Sequence, residues 1–95
     1  MPPIKRRDLE QMFAGKLGMR RGGTDHRTYE YLHGGRTVAH TKISTGSGYD
    51  IYSSSLVQKV AMQLHVNSSQ LVELVACNMS QVDYEAHLRS QNLIP

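Results

Sequence analysis

The apolar residues of this chain change their spacing twice, and each change restricts what the segment can fold into. Leu9, Met12, Phe13 and Leu17 fall at i, i+3, i+4 and i+8, one stripe of a helix over residues 5–17 that Gly18 ends. Beyond it, Gly22-Gly23, Gly34-Gly35 and Gly46-x-Gly48 separate short runs rich in Tyr, Thr, Val and Ile. That texture predicts strands over residues 19–22, 26–33 and 36–44. From residue 53 the helical period returns. Ser55-x-x-Gln58 is a capping signal before Leu56, Val60, Ala61 and Leu64, and Asn67-x-x-Gln70 opens a short helix with Leu71, Leu74 and Val75. Ser80-x-x-Asp83 starts a last helix carrying Val82 and Ala86 with Tyr84 and Leu88.

The order is therefore α-β-β-β-α followed by two short helices, an α+β chain. The simplest burial of those stripes is a three-stranded antiparallel sheet covered by helices on one face. At 95 residues the chain is one domain's worth, with residues 67–95 read as a helical extension of the core formed by residues 1–66. If Gly34-Gly35 forms a two-residue hairpin turn, Tyr31 pairs with Val38, Tyr29 with His40 and His26 with Ile43. That register puts Tyr29, Tyr31 and Val38 on the core face, with His40 towards it. His26, Thr28, Thr41 and Ile43 then lie on the open face. Ile43 fits poorly there, and a bulge near Thr41 or Lys42 would move it.

Charge separates the chain into two parts. Residues 1–42 hold nine lysines and arginines against four acids, whereas residues 43–95 hold two against four. Positive potential gathered in one half is what an anionic partner such as RNA requires. No run approaches the roughly 18 apolar residues of a membrane span, and the first residues lead into Arg6, Arg7 and Asp8 rather than a signal-peptide core. A single cysteine, Cys77, rules out an intramolecular disulfide and suits a reducing, cytoplasmic setting.

The densest chemistry lies at Arg20-Arg21-Gly22-Gly23-Thr24-Asp25-His26-Arg27-Thr28. Glycines such as Gly23 let a backbone approach a phosphate, and Arg20, Arg21, Arg27 and Lys42 can hold it, with Thr28 beside them on the open face. His26 adds an imidazole, which titrates nearest neutrality and can move protons for a phosphoryl substrate. RNA carries its own nucleophile in the 2′-hydroxyl, so strand scission needs proton transfer and charge stabilisation but no metal. Taken alone, a histidine on a half-buried strand is more often structural, and the same holds for His33 and His40. Tyr29 and Tyr31 alternate with polar residues and read as core. His26, His33 and His40 fall seven apart, yet strand parity splits them between faces, and no Cys-x-x-Cys or phosphate-loop motif occurs. Neither a metal nor a cofactor is expected.

At these residues the chain resembles the HicA family of toxins over about residues 5–66. The resemblance is carried by Gly23-Thr24-Asp25-His26-Arg27-Thr28-Tyr29, by Val38-Ala39-His40, by Gly46-Ser47-Gly48 and by Ser55-Leu56. It implies a double-stranded-RNA-binding-domain-like fold and a toxin of a type II toxin–antitoxin system. Its activity would be that of a metal-independent endoribonuclease, an mRNA interferase. It also implies His26 as the catalytic residue, with Asp25 and His40 as accessory positions and a HicB-like antitoxin as protein partner. Thr24-Asp25 stands where the family signature has one serine, and residues 67–95 have no counterpart in the minimal toxin. Two other readings use the same residues: a non-catalytic RNA-binding module, and a protein-interaction domain docking through residues 53–95.

Overall fold

Leu9, Met12, Phe13 and Leu17 are all buried, so the stripe read from the sequence is the face that the first helical segment turns inward. The computed structural model describes residues 3–23, 27–43 and 50–95. A two-residue strand, β1 (Ile4–Lys5), leads directly into α1 (Arg6–Gln11), and the helix continues as a π-helical turn over Met12–Lys16. The wider turn is closed by Leu17 N–H donating to Met12 O (3.0 Å) and Met19 N–H to Phe13 O (2.8 Å). Between them Gly18 takes φ +60°, the left-handed residue that commonly ends a helix.

Three strands follow, β2 (Arg20–Gly22), β3 (Arg27–His33) and β4 (Arg36–Ile43), forming an antiparallel sheet in the order β2-β3-β4. Gly34 and Gly35 both have positive φ, as the expected tight hairpin turn requires. Near the turn the pairing is as read from the sequence, Leu32 with Thr37 and His33 with Arg36. It then shifts by one residue between Tyr31 and Leu32, so Tyr31 faces Ala39, Glu30 faces His40, Tyr29 faces Thr41 and Arg27 faces Ile43. Val38 is the extra residue of a β-bulge, three to four residues before Thr41 and Lys42, where the pattern had suggested one.

The bulge corrects the sheet's two faces. Tyr29, Tyr31, Ala39, Thr41 and Ile43 are buried together, while His40 and Lys42 are exposed and Val38 is only half-buried. One slip of register exchanges faces beyond it, and burying Ile43 in place of His40 is the lower-energy choice. Thr41 is tolerated inside because its hydroxyl donates to Gln63 Oε1 (2.5 Å). The bulge itself is braced by His65. The Val38 carbonyl accepts from His65 Nε2 (3.1 Å).

A second short strand, β5 (Ile51–Tyr52), pairs antiparallel with β1, Ile4 opposite Tyr52. It precedes α2 (Ser54–Gln63), α3 (Ser68–Val75) and α4 (Gln81–Ser90). Asn67 and Ser80 each form the full capping box expected of them. Ser55 does not cap α2; Ser53 stands at that position, without a side-chain cap bond. The buried face of α2 includes Val57, with Leu56 half-buried at its margin. On α4 the buried residues are Tyr84 and Leu88, whereas Val82 is 78% exposed and Ala86 exposed. Tyr84 decides that orientation. Its ring meets Tyr31 edge-on at 5.1 Å and its hydroxyl donates to Leu64 O (2.9 Å), so burial leaves no polar group unpaired.

Residues of α1, the sheet, α2, α3 and α4 share one hydrophobic core, and among the described residues no helix covers the sheet's other face. The architecture is α+β, with helices on one side of a three-stranded antiparallel sheet. No helix among the described residues is long and apolar enough to cross a membrane.

Candidate nucleic-acid interface

Glu10 organises the strongest electrostatic cluster of the described residues. It follows Arg6 by one helical turn, beside the buried Leu9–Phe13 stripe, so both side chains lie where α1 meets the sheet. Arg27, at the start of β3, donates through Nη1 to Oε1 and Oε2 of Glu10 (2.8 and 2.9 Å). The Tyr29 hydroxyl donates to Oε1 (2.8 Å), and Arg6 Nε lies 3.7 Å from Oε2. Burial opposes ionisation of Glu10, but the bonds from Arg27 and Tyr29 and the charges of Arg27 and Arg6 outweigh it and hold its carboxyl below the usual value. Burial, with the Glu10 carboxylate beside it, pushes the Tyr29 hydroxyl up to about 12. The Glu10 hydrogen bond and charge raise the Arg27 guanidinium still further.

Around this pair lies a cleft of about 490 Å³ bordered by Arg6, Arg7, Arg21 and Arg27, with Glu10 and Tyr29 at its base. Two guanidiniums, from Arg6 and Arg27, thus meet one carboxylate, and Arg7 and Arg21 line the same cleft. Arg6 Nη2 also reaches Asp50 (3.7 Å), while Arg6 Nη1 is buried with no hydrogen-bond partner among the described residues. Arg7 and Arg21 are exposed. Such a set suits an anion with several acceptor oxygens, because each planar guanidinium offers paired donors.

The residues singled out from the sequence divide between two surfaces. Cross-strand pairing puts Arg20, Glu30 and His40 in one row of the open face, and Gly22, Thr28 and Lys42 in the next. Arg20 is paired with Glu30 through Nε (3.1 Å) and Nη2 (2.5 Å). Arg21 and Arg27 share the parity of Tyr29 and lie on the helix side, at the arginine cleft. Gly23, with φ +90°, ends β2. His26 and Asp25 lie outside the described residues, as does Gly46-Ser47-Gly48. Arg6, Arg7 and Glu10 were not singled out from the sequence as site residues. The available signal was the Arg6–Glu10 spacing on the flank of an apolar stripe, which local pattern alone does not distinguish from an ordinary helix ion pair.

No family model matches the chain, and no curated protein or solved structure is significantly similar to it.

Proposed function

We propose that the protein binds RNA along the edge formed by α1, β2 and β3. We further propose that it acts as a HicA-like, metal-independent endoribonuclease with His26 as general acid and base. The observation that carries the binding reading is the convergence of Arg6, Arg7, Arg21 and Arg27 on one cleft beside an uncovered sheet face bearing Arg20, Thr28 and Lys42. Glu10 and Asp50 offset the charges of Arg27 and Arg6, but Arg7 and Arg21 have no acidic partner among the described residues, and a phosphate backbone supplies such anions repeatedly. The α-β-β-β-α order supports a double-stranded-RNA-binding-domain-like assignment. That module reads backbone shape and 2′-hydroxyls more than base edges.

In the cleavage step the imidazole takes the 2′-hydroxyl proton, the 2′-oxygen bonds to phosphorus, and the P–O5′ bond breaks. The leaving 5′-oxygen then takes a proton, and the upstream strand ends in a 2′,3′-cyclic phosphate. The arginines stabilise the charge gathering on the phosphoryl oxygens. A HicB-like antitoxin and cytoplasmic residence accompany this reading.

The test is RNA binding by fluorescence anisotropy over a salt series, with cleavage followed on gels in the presence of EDTA. Affinity should fall steeply with salt, since each neutralised phosphate releases a counterion, and Arg7→Gln/Arg21→Gln should weaken binding and flatten the slope. Cleavage should vanish in His26→Ala while binding persists. Salt-sensitive binding with no cleavage by the wild type would leave a non-catalytic RNA-binding module; no salt-sensitive binding would overturn the whole reading in favour of a protein-interaction domain.

A further inference from the structure

At the opposite end of β3 from Arg27, about 20 Å along the strand, a second polar cluster is built with no use in the interface above. Tyr31 is buried, and its hydroxyl donates to Glu85 Oε2 (2.7 Å) while accepting from Gln81 Nε2 (3.1 Å). The same Glu85 oxygen lies 3.5 Å from His33 Nδ1. The hydrogen bond from Tyr31 outweighs the desolvation of Glu85 and, with the nearby His33, holds its carboxyl below the ordinary value. A carboxylate fixed by a buried tyrosine therefore orients one nitrogen of an imidazole. Nε2 of His33 has no hydrogen-bond partner among the described residues.

His33 forms part of the wall of a cleft of about 550 Å³, within the size range of small-molecule sites. Across the strand pair stands Arg36, exposed and without an acidic partner among the described residues. Thr37 and Asn92 add a hydroxyl and an amide, and Leu93 and Pro95 form an apolar side. The Pro95 main-chain oxygen is engaged by Arg89 Nε (2.8 Å). With protons on both nitrogens, the imidazole held through Nδ1 by Glu85 presents an Nε2–H donor, and beside an unpaired guanidinium it matches a doubly charged phosphate, while the apolar side matches what the phosphate carries.

We infer that this cleft binds a phosphate monoester, presented by a mononucleotide or by the end of an RNA strand. His33 and Arg36 hold the phosphate, Glu85 is a positioning residue behind the imidazole, and the side formed by Leu93 and Pro95 takes the nucleoside. The inference does not rest on the RNA-cleavage reading.

NMR titration of the full chain with adenosine 5′-monophosphate, adenosine and a short oligoribonucleotide with or without a 5′-phosphate tests it. The mononucleotide should shift His33, Arg36 and Asn92 signals, adenosine should not, and the phosphorylated oligonucleotide should shift them more than its unphosphorylated twin if strand ends are the source. Arg36→Gln, at an exposed position, should weaken mononucleotide binding about tenfold, the scale of one charge-assisted contact. Lys59→Gln, at an exposed position of α2 outside both clefts, should leave it unchanged. Glu85→Gln should weaken binding several-fold while the Tyr31 and Gln81 signals stay in place. Shifts confined to the arginine cleft, or undiminished affinity in Arg36→Gln, would overturn the inference. So would the absence of phosphate-dependent shifts at His33 and Arg36 with both the mononucleotide and the oligonucleotide.

Discussion

Glu10 holds Arg27 in place and at the same time competes with any phosphate for it, since both of its oxygens accept from that guanidinium. Glu10→Gln should therefore cost about 1–2 kcal/mol in urea unfolding, the scale of a hydrogen bond to a charged group, yet tighten RNA binding. Unchanged or weaker affinity would mean that Arg27 serves structure alone. The pH dependence has a definite sign. A carboxyl held below its usual 4.5 in the folded state contributes stability that is complete above that value and is lost as pH falls through the lower, folded one. Wild type should accordingly lose stability more steeply than Glu10→Gln below about pH 4.5. Three other residues carry backbone strain, Asn92 beyond α4 (φ 60°) among them. His65 and Cys77 both have left-handed φ, 64° and 67°, just beyond α2 and α3, but only the His65 side chain is bonded to the bulge. Cys77→Gly should raise stability by about 0.5–1 kcal/mol, whereas His65→Gly should lower it because the Val38 carbonyl loses its donor. Thermal melts showing equal and stabilising effects would contradict that distinction.

At the scale of elements, the β3–β4 pair contains one extra residue. Deleting Val38 would join Thr37 directly to Ala39 and give unbroken pairing in which Ala39, Thr41 and Ile43 still face Tyr31, Tyr29 and Arg27 on the core side. The core would survive, but His65 would lose its acceptor at the Val38 carbonyl. The expected outcome is a cooperative melt by circular dichroism, less stable by about 1 kcal/mol, the scale of one hydrogen bond; loss of cooperative unfolding would show that the bulge itself is needed to seat the sheet on the helices. The same comparison shows what local pattern could convey. The α1 stripe, the three strands, the glycine turn and the caps at Asn67 and Ser80 were legible because each depends on residues within one or two turns of one another. The bulge was not, since both registers satisfy alternation along β4 and only the helices beneath the sheet distinguish Ile43 from His40. The face of α4 was hidden for a similar reason: Tyr84 becomes a core residue once Leu64 O and the Tyr31 ring stand ready to receive it.

In the whole molecule, α3 and α4 belong to the same core as the sheet. Leu71, Leu74, Tyr84, Leu88 and Ile94 are each no more than 5% exposed. Their burial is worth on the order of 10 kcal/mol, comparable to the entire net stability of a domain. A chain ending after residue 66 should therefore remain unfolded in thermal and urea titrations; a sharp transition in that fragment would show that residues 67–95 are dispensable. Tyr31 would suffer twice in such a fragment. It would lose both the Tyr84 ring and the Glu85 carboxylate that accepts its hydroxyl.

Periodicity, glycines and capping residues determined the order of elements and most of the core, because helix and strand each impose a repeat that apolar residues must follow. Charge also placed the basic half by itself, since the sign of a segment needs no fold to be read. Tertiary structure decided which charges meet: Arg6 and Arg7 of α1 join Arg21 and Arg27 at one cleft, while Arg20 and Lys42 go to the other face of the sheet. It alone brought His33, 52 residues away in sequence, to Glu85. Contacts of that span depend on a strand register fixed by the burial of Ile43 and Tyr31, a property of the assembled core that no local segment contains.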